Sequence, residues 1–163
     1  MALSTNGISA QILSSIAAYR SHGQYCTEND CKVVLNHLLR KFSEPLARTD
    51  NQQYFHSTQT VGYGGRVVID HVIPIREIMH RLLRLENIDV TTANVSKLSE
   101  MLTESLILCE ITEEEEDCLN ENGLQQNMPA GWTVSGHEYE EDIWARYLEI
   151  GIHQNILPGR RPR

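Results

Sequence analysis

Arg66-Val67-Val68-Ile69-Asp70-His71-Val72-Ile73-Pro74-Ile75 is the stretch on which the reading of this chain turns. Its first four residues form a short β-rich run after the turn residues Gly62, Gly64 and Gly65. Pro74 has no N–H to give to a ladder, so the strand ends by there. Asp70 and His71 then stand side by side at the end of an apolar strand and point to opposite sides of it. One can hold a metal while the other handles a proton. Such a pair also arises by chance at turns, where water satisfies both groups.

Downstream, Ile75, Ile78, Met79, Leu82 and Leu83 fall at helical spacing, and a further helix is expected from about 94 to 102. The apolar run 105–109 reads as a second strand. Thr112 caps the helix that follows it, and Glu115 completes a capping box. That helix runs through Leu119 and Asn120 and stops at Gly123. A last helix, over residues 138–151, carries Ile143, Trp144, Tyr147 and Leu148, with Gly151 as its end. The tail from Pro158, with Arg160, Arg161 and Arg163, is expected to be mobile.

Upstream the chain reads as helix. Ile8, Ile12, Leu13 and Ile16 mark one helix, ending near His22-Gly23. Thr27 and Asp30 cap a second, whose apolar face holds Cys31, Val34, Leu35, Leu38, Leu39 and Phe42. Residues 43–60, with Pro45, are expected to be loop. The sum is one α+β domain over residues 1–163, mostly helical around a small two-stranded core. Its helical part covers 1–60, the core with a helical insertion 61–125, and the C-terminal helix 138–151.

The 163 residues suffice for one buried core, and 40% hydrophobic with 22% charged residues is ordinary for a globular protein. No apolar run approaches the ~20 residues of a membrane span, and the first residues lack the basic start of a secretory signal. A cytoplasmic location is the expectation. A net charge of −8 argues against coating nucleic acid through the overall field, but not against touching a few phosphates locally. The acids concentrate at 113–117 and 138–142, while Arg76, Arg81 and Arg84 follow the Asp70-His71 pair. Cys26, Cys31, Cys109 and Cys118 have spacings unlike paired zinc knuckles. Buried free thiols are the plainer reading, with a four-cysteine zinc site left open.

With Thr112 as cap, Glu116 and Asn120 lie one turn apart on one helix face, both oxygen donors suited to Mg²⁺ or Mn²⁺. The phrase DHVIPI, followed by LCEITEEEEDCLNENGL and NMPAGW, resembles the HNH or His-Me finger endonucleases and their ββα-metal core, over roughly residues 66–150. In that family the first strand ends in a dipeptide, often His-His or Asp-His. The helix after the second strand supplies further ligands, and the colicin-type toxin nucleases space them four and eight residues after a Thr. The resemblance implies Asp70, Glu116 and Asn120 as ligands of one Mg²⁺ or Mn²⁺ ion and His71 as general base. Two departures stand out: no Asn matches the middle of the HNH motif near Glu104-Ser105, and Glu116 stands where relatives more often carry His or Asn.

The function implied is metal-dependent hydrolysis of DNA phosphodiesters, with Arg76 a candidate phosphate clamp that is otherwise a solvated helix-start arginine. Small nucleases often dimerise to cut both strands, and a homodimer is left open here. The competing reading is a catalytically degenerate nuclease scaffold, an acidic binding protein or inhibitor that mimics DNA. Net charge favours the second reading; Asp70-His71 and the 112/116/120 spacing favour the first. His56 and His80 read as surface histidines, and Trp132, Trp144 and Tyr147 as core.

Overall fold

A computed structural model describes residues 4–45 and 53–162. Arg163 and the stretch 46–52 of the expected loop lie outside the described residues. In chain order the elements are α1 (Thr5–Ser21), α2 (Glu28–Ser43), β1 (Tyr54–Ser57), β2 (Val67–His71), α3 (Ile75–Leu83), α4 (Thr92–Ser105), β3 (Leu108–Thr112), α5 (Glu113–Glu121), α6 (Ala145–Glu149) and β4 (Ile156–Pro158). Short 3₁₀ turns follow β1, precede β4 and cover Ala130–Thr133. The fold is α+β: mostly helix, with a small mixed sheet in the order β2-β3-β1-β4. No helix among the described residues is long and apolar enough to cross a membrane.

The starts of α1, α2, α4 and α5 lie where capping chemistry puts them. Ser4 accepts from the Gly7 N–H, and Thr27 and Asp30 form a reciprocal capping box. Thr112 and Glu115 form another at α5. α5 ends as read, with Gly123 at φ +70° and the Leu124 N–H reaching back to the Leu119 carbonyl.

Four expectations are corrected. Among the described residues the sheet has four strands, not two. Tyr54–Ser57 lies inside the stretch read as loop; it is a four-residue strand whose two aromatic side chains point to opposite faces, so no alternation betrays it. The second strand starts at Leu108 because α4 continues to Ser105; Leu106 and Ile107 are buried in the connection, and pairing runs on to Thr112. The C-terminal helix is only Ala145–Glu149. Turns occupy residues 138–142, where Glu141 adopts φ +53°, a backbone that does not continue a helix. The tail is held as well: β4 pairs antiparallel with β1, and the Gly159 N–H donates to the Tyr54 carbonyl at 2.7 Å.

Two apolar clusters flank the site. The larger joins α1, α2, α3 and α4 through residues such as Ile12, Leu35, Leu39, Ile78 and Leu102. The smaller lies on the sheet face that α5 and α6 cover, with Val72, Cys109, Ile111, Leu119 and Tyr147. Asp70-His71 stands between them.

Candidate functional site

Register fixes which side chains share a face. Asp70 pairs with Cys109, which pairs with Phe55; His71 pairs with Leu108, which pairs with Tyr54. Asp70 therefore faces α5 and α6, and His71 faces the other way, toward α2. The two groups serve different sides of the sheet, as the sequence reading expects.

Asp70 is held by α6. Arg146 Nη2 donates to Asp70 Oδ2 at 2.5 Å, and the Tyr147 hydroxyl donates to the same oxygen at 2.8 Å. Arg146 has none of its side chain exposed, and it also donates to the carbonyls of Val72, Leu124 and His71 at 3.0, 2.7 and 2.6 Å. One guanidinium thus ties the end of β2 to the loop after α5. Burial pushes the Asp70 carboxyl up from the usual carboxylate range, while the Arg146 charge and the Tyr147 hydroxyl pull it down. Tyr147 is pushed well up by burial and then by the Asp70 charge.

His71 Nε2 lies 3.0 Å from Ser43 Oγ at the end of α2. Burial, then the charges of Arg40 and Arg146, holds its pKa down at about 4, so the ring is neutral at pH 7.

The helix residues lie differently. α5 folds back along the strands, burying Leu119 in the cluster that holds Val72 and Ile107. Its later half therefore lies toward the Asp70-His71 end. Asn120 is exposed there and makes no side-chain hydrogen bond among the described residues. Glu116 is drawn to the start of β2, where Arg66 Nη2 donates to it at 2.8 Å. Arg76 is exposed on the first turn of α3 without an ion pair among the described residues.

The three expected ligands are therefore not assembled as a metal-binding set. One Asp70 oxygen serves Arg146 and Tyr147, Glu116 serves Arg66, and only Asn120 is uncommitted. Among the described residues no three His, Cys, Asp or Glu side chains are grouped to hold an ion. The residues as arranged do not fit the Mg²⁺ or Mn²⁺ site that the resemblance implies, and no chemical step is assigned to an ion here. The cysteines are all free; Cys31 belongs to the helical cluster and Cys109 to the sheet cluster, so they cannot form one zinc site.

Sequence reasoning missed two groups. Arg146 had one signal, an arginine within Ile143-Trp144-Ala145-Arg146-Tyr147-Leu148, where apolar neighbours place it toward the core. The second group occupies the sheet face that carries His71. There the Tyr54 hydroxyl donates to Glu110 Oε1 at 2.9 Å, and Arg161 Nε lies 3.4 Å from Glu110 Oε2. The His56 Nδ1–H donates to the Gly159 carbonyl at 2.8 Å, since a carbonyl can only accept. His56 is 6% exposed, not the surface histidine expected. Arg160 packs over the Tyr54 ring, 4.5 Å from its centroid. These contacts fasten the tail across the sheet, so Arg160 and Arg161 serve structure.

No family model, curated protein or solved structure matches the chain.

Proposed function

We propose that this chain is an endonuclease-type phosphodiester hydrolase acting on DNA, with its reacting groups at the end of β2. One observation carries the reading. A strand ending in Asp70-His71 pairs antiparallel with β3, which runs straight into the Thr112-capped helix α5, the order found in the HNH family that the sequence resembles. In this reading His71 accepts a proton from water as the new oxygen–phosphorus bond forms and the bond to the leaving sugar oxygen breaks. The neutral ring at pH 7 supports that role, and its low basicity puts the expected contribution at the lower end of about 10²–10⁴ in rate. Asp70 and Arg146 are positioning residues that fix the strand end carrying the imidazole. Arg76, exposed and without an ion pair among the described residues, is the cation assigned to a substrate phosphate in this reading. A homodimer cutting both strands belongs to the same proposal.

A second reading has its own support. Both acidic ligand candidates on secondary structure are already paired with arginines, and α5 presents Glu114, Asp117 and Glu121 to solvent on a chain of net charge −8. A non-catalytic scaffold that binds a basic partner through this surface accounts for those facts without chemistry.

Conversion of supercoiled plasmid to nicked circles separates the two. The purified chain is incubated in Mg²⁺, in Mn²⁺ and in EDTA. The first reading expects nicking in at least one of the three conditions. Intact plasmid in all three, with saturable binding of a basic protein such as a histone, overturns it in favour of the second.

A further inference from the structure

Much of the positive charge in this acidic chain is engaged: Lys32 with Glu28, Lys41 with Glu44, Arg66 with Glu113 and Glu116, Arg146 with Asp70 and Arg161 with Glu110. Arg84 and Lys97 make no ion pair among the described residues. Both border one cavity of about 460 Å³ between α1, α3 and α4. Arg81 adds a third cation, already stacked on Trp132 and 3.6 Å from Glu141, and Glu86 is the carboxylate of the lining. The apolar wall comes from Leu13, Leu98 and Met101.

The cavity is built rather than incidental. Arg20 Nη2 donates to the carbonyls of Leu83 and Leu85, at 3.0 and 2.5 Å, and so pins the corner that carries Arg84. At the other end of the same segment Thr91 caps α4, and Asn94 Nδ2 donates to the Asp89 carbonyl at 2.9 Å. The volume is within the range of small-molecule sites, about 300–1,000 Å³. Unpaired cations beside an apolar wall suit a ligand with a negative head and an apolar body.

We infer that this cavity binds an amphipathic organic anion, a carboxylate with a medium-length apolar chain. Its head lies against Arg84 and Lys97 and its chain along Leu13, Leu98 and Met101. The inference does not rest on the nuclease reading, and plasmid nicking is scored separately from it.

The test is isothermal titration of the full chain with hexanoate, octanoate and decanoate, each below its micelle concentration, and with decanol. One saturable site is expected, its affinity rising by up to about fourfold per added methylene. Decanol is expected to bind at least about tenfold more weakly than decanoate. Arg84→Gln with Lys97→Gln changes two exposed side chains, so the thermal midpoint should hold while decanoate affinity falls by about tenfold or more. No saturable binding, equal binding of decanol, or undiminished binding by the double variant would each overturn the inference.

Discussion

Arg146 carries its charge with no part of its side chain in water, and such a group persists only where every donor finds an acceptor. Asp70 and the carbonyls around it supply those acceptors. Arg146→Ala leaves the Asp70 carboxylate short of its cation and several buried carbonyls without donors. The expected loss is about 3 kcal/mol or more, a fall of roughly 10 °C in thermal midpoint. Calorimetry or a circular dichroism melt checks this; a shift of only a degree or two would show that Arg146 does not hold the strand end. His71 makes a pH prediction. In the unfolded chain its ring protonates near 6.5, whereas the folded protein keeps it neutral down to about 4. The unfolded state therefore binds the extra proton between those values, and stability falls as pH drops through them, by up to about 3 kcal/mol. Asp70, with its carboxyl pushed up, acts in the opposite sense as the pH falls. The informative quantity is thus the difference between wild type and His71→Asn in urea unfolding at pH 7 and pH 4.5. Wild type should lose more stability; parallel losses would contradict a buried neutral ring.

At the scale of elements, α5 is fastened more firmly than its acidic sequence suggests. Glu115 accepts from the Thr112 N–H at 2.9 Å and also from the Ser57 hydroxyl at 2.7 Å, so the capping box is bonded to the end of β1. Thr112→Ala removes the acceptor for the Glu115 N–H and should cost about 1 kcal/mol, near the middle of the capping range. Glu115→Ala also strips Ser57 of its acceptor inside the protein and should cost more. Denaturant midpoints for both variants decide it, and the reverse order would mean that the link to β1 is unimportant. Both capping boxes and the end of β2 were legible in the sequence because they depend on neighbours three or four residues apart. β1 and β4 were not. Tyr54–Ser57 and Ile156–Pro158 are short; β1 is a strand because it lies between β3 and β4, and β4 because β1 lies beside it, pairings across about 50 and about 100 residues.

For the whole molecule, the same contrast of local and long-range information governs what the sequence disclosed of the site. Asp70 and His71 are neighbours, and their opposite orientation follows from strand geometry alone. Whether Glu116 faces Asp70 depends on Arg66, and whether Asp70 is free depends on Arg146, 76 residues away. No local pattern reports either. What decides the account is the reactivity of one imidazole. The most direct measurement is the single-turnover cleavage rate of a labelled DNA oligonucleotide by wild type and by His71→Ala, each verified as folded. The account predicts measurable cleavage by wild type and a rate at least about 10²-fold lower for the variant. Equal rates, or cleavage by neither protein, would contradict it.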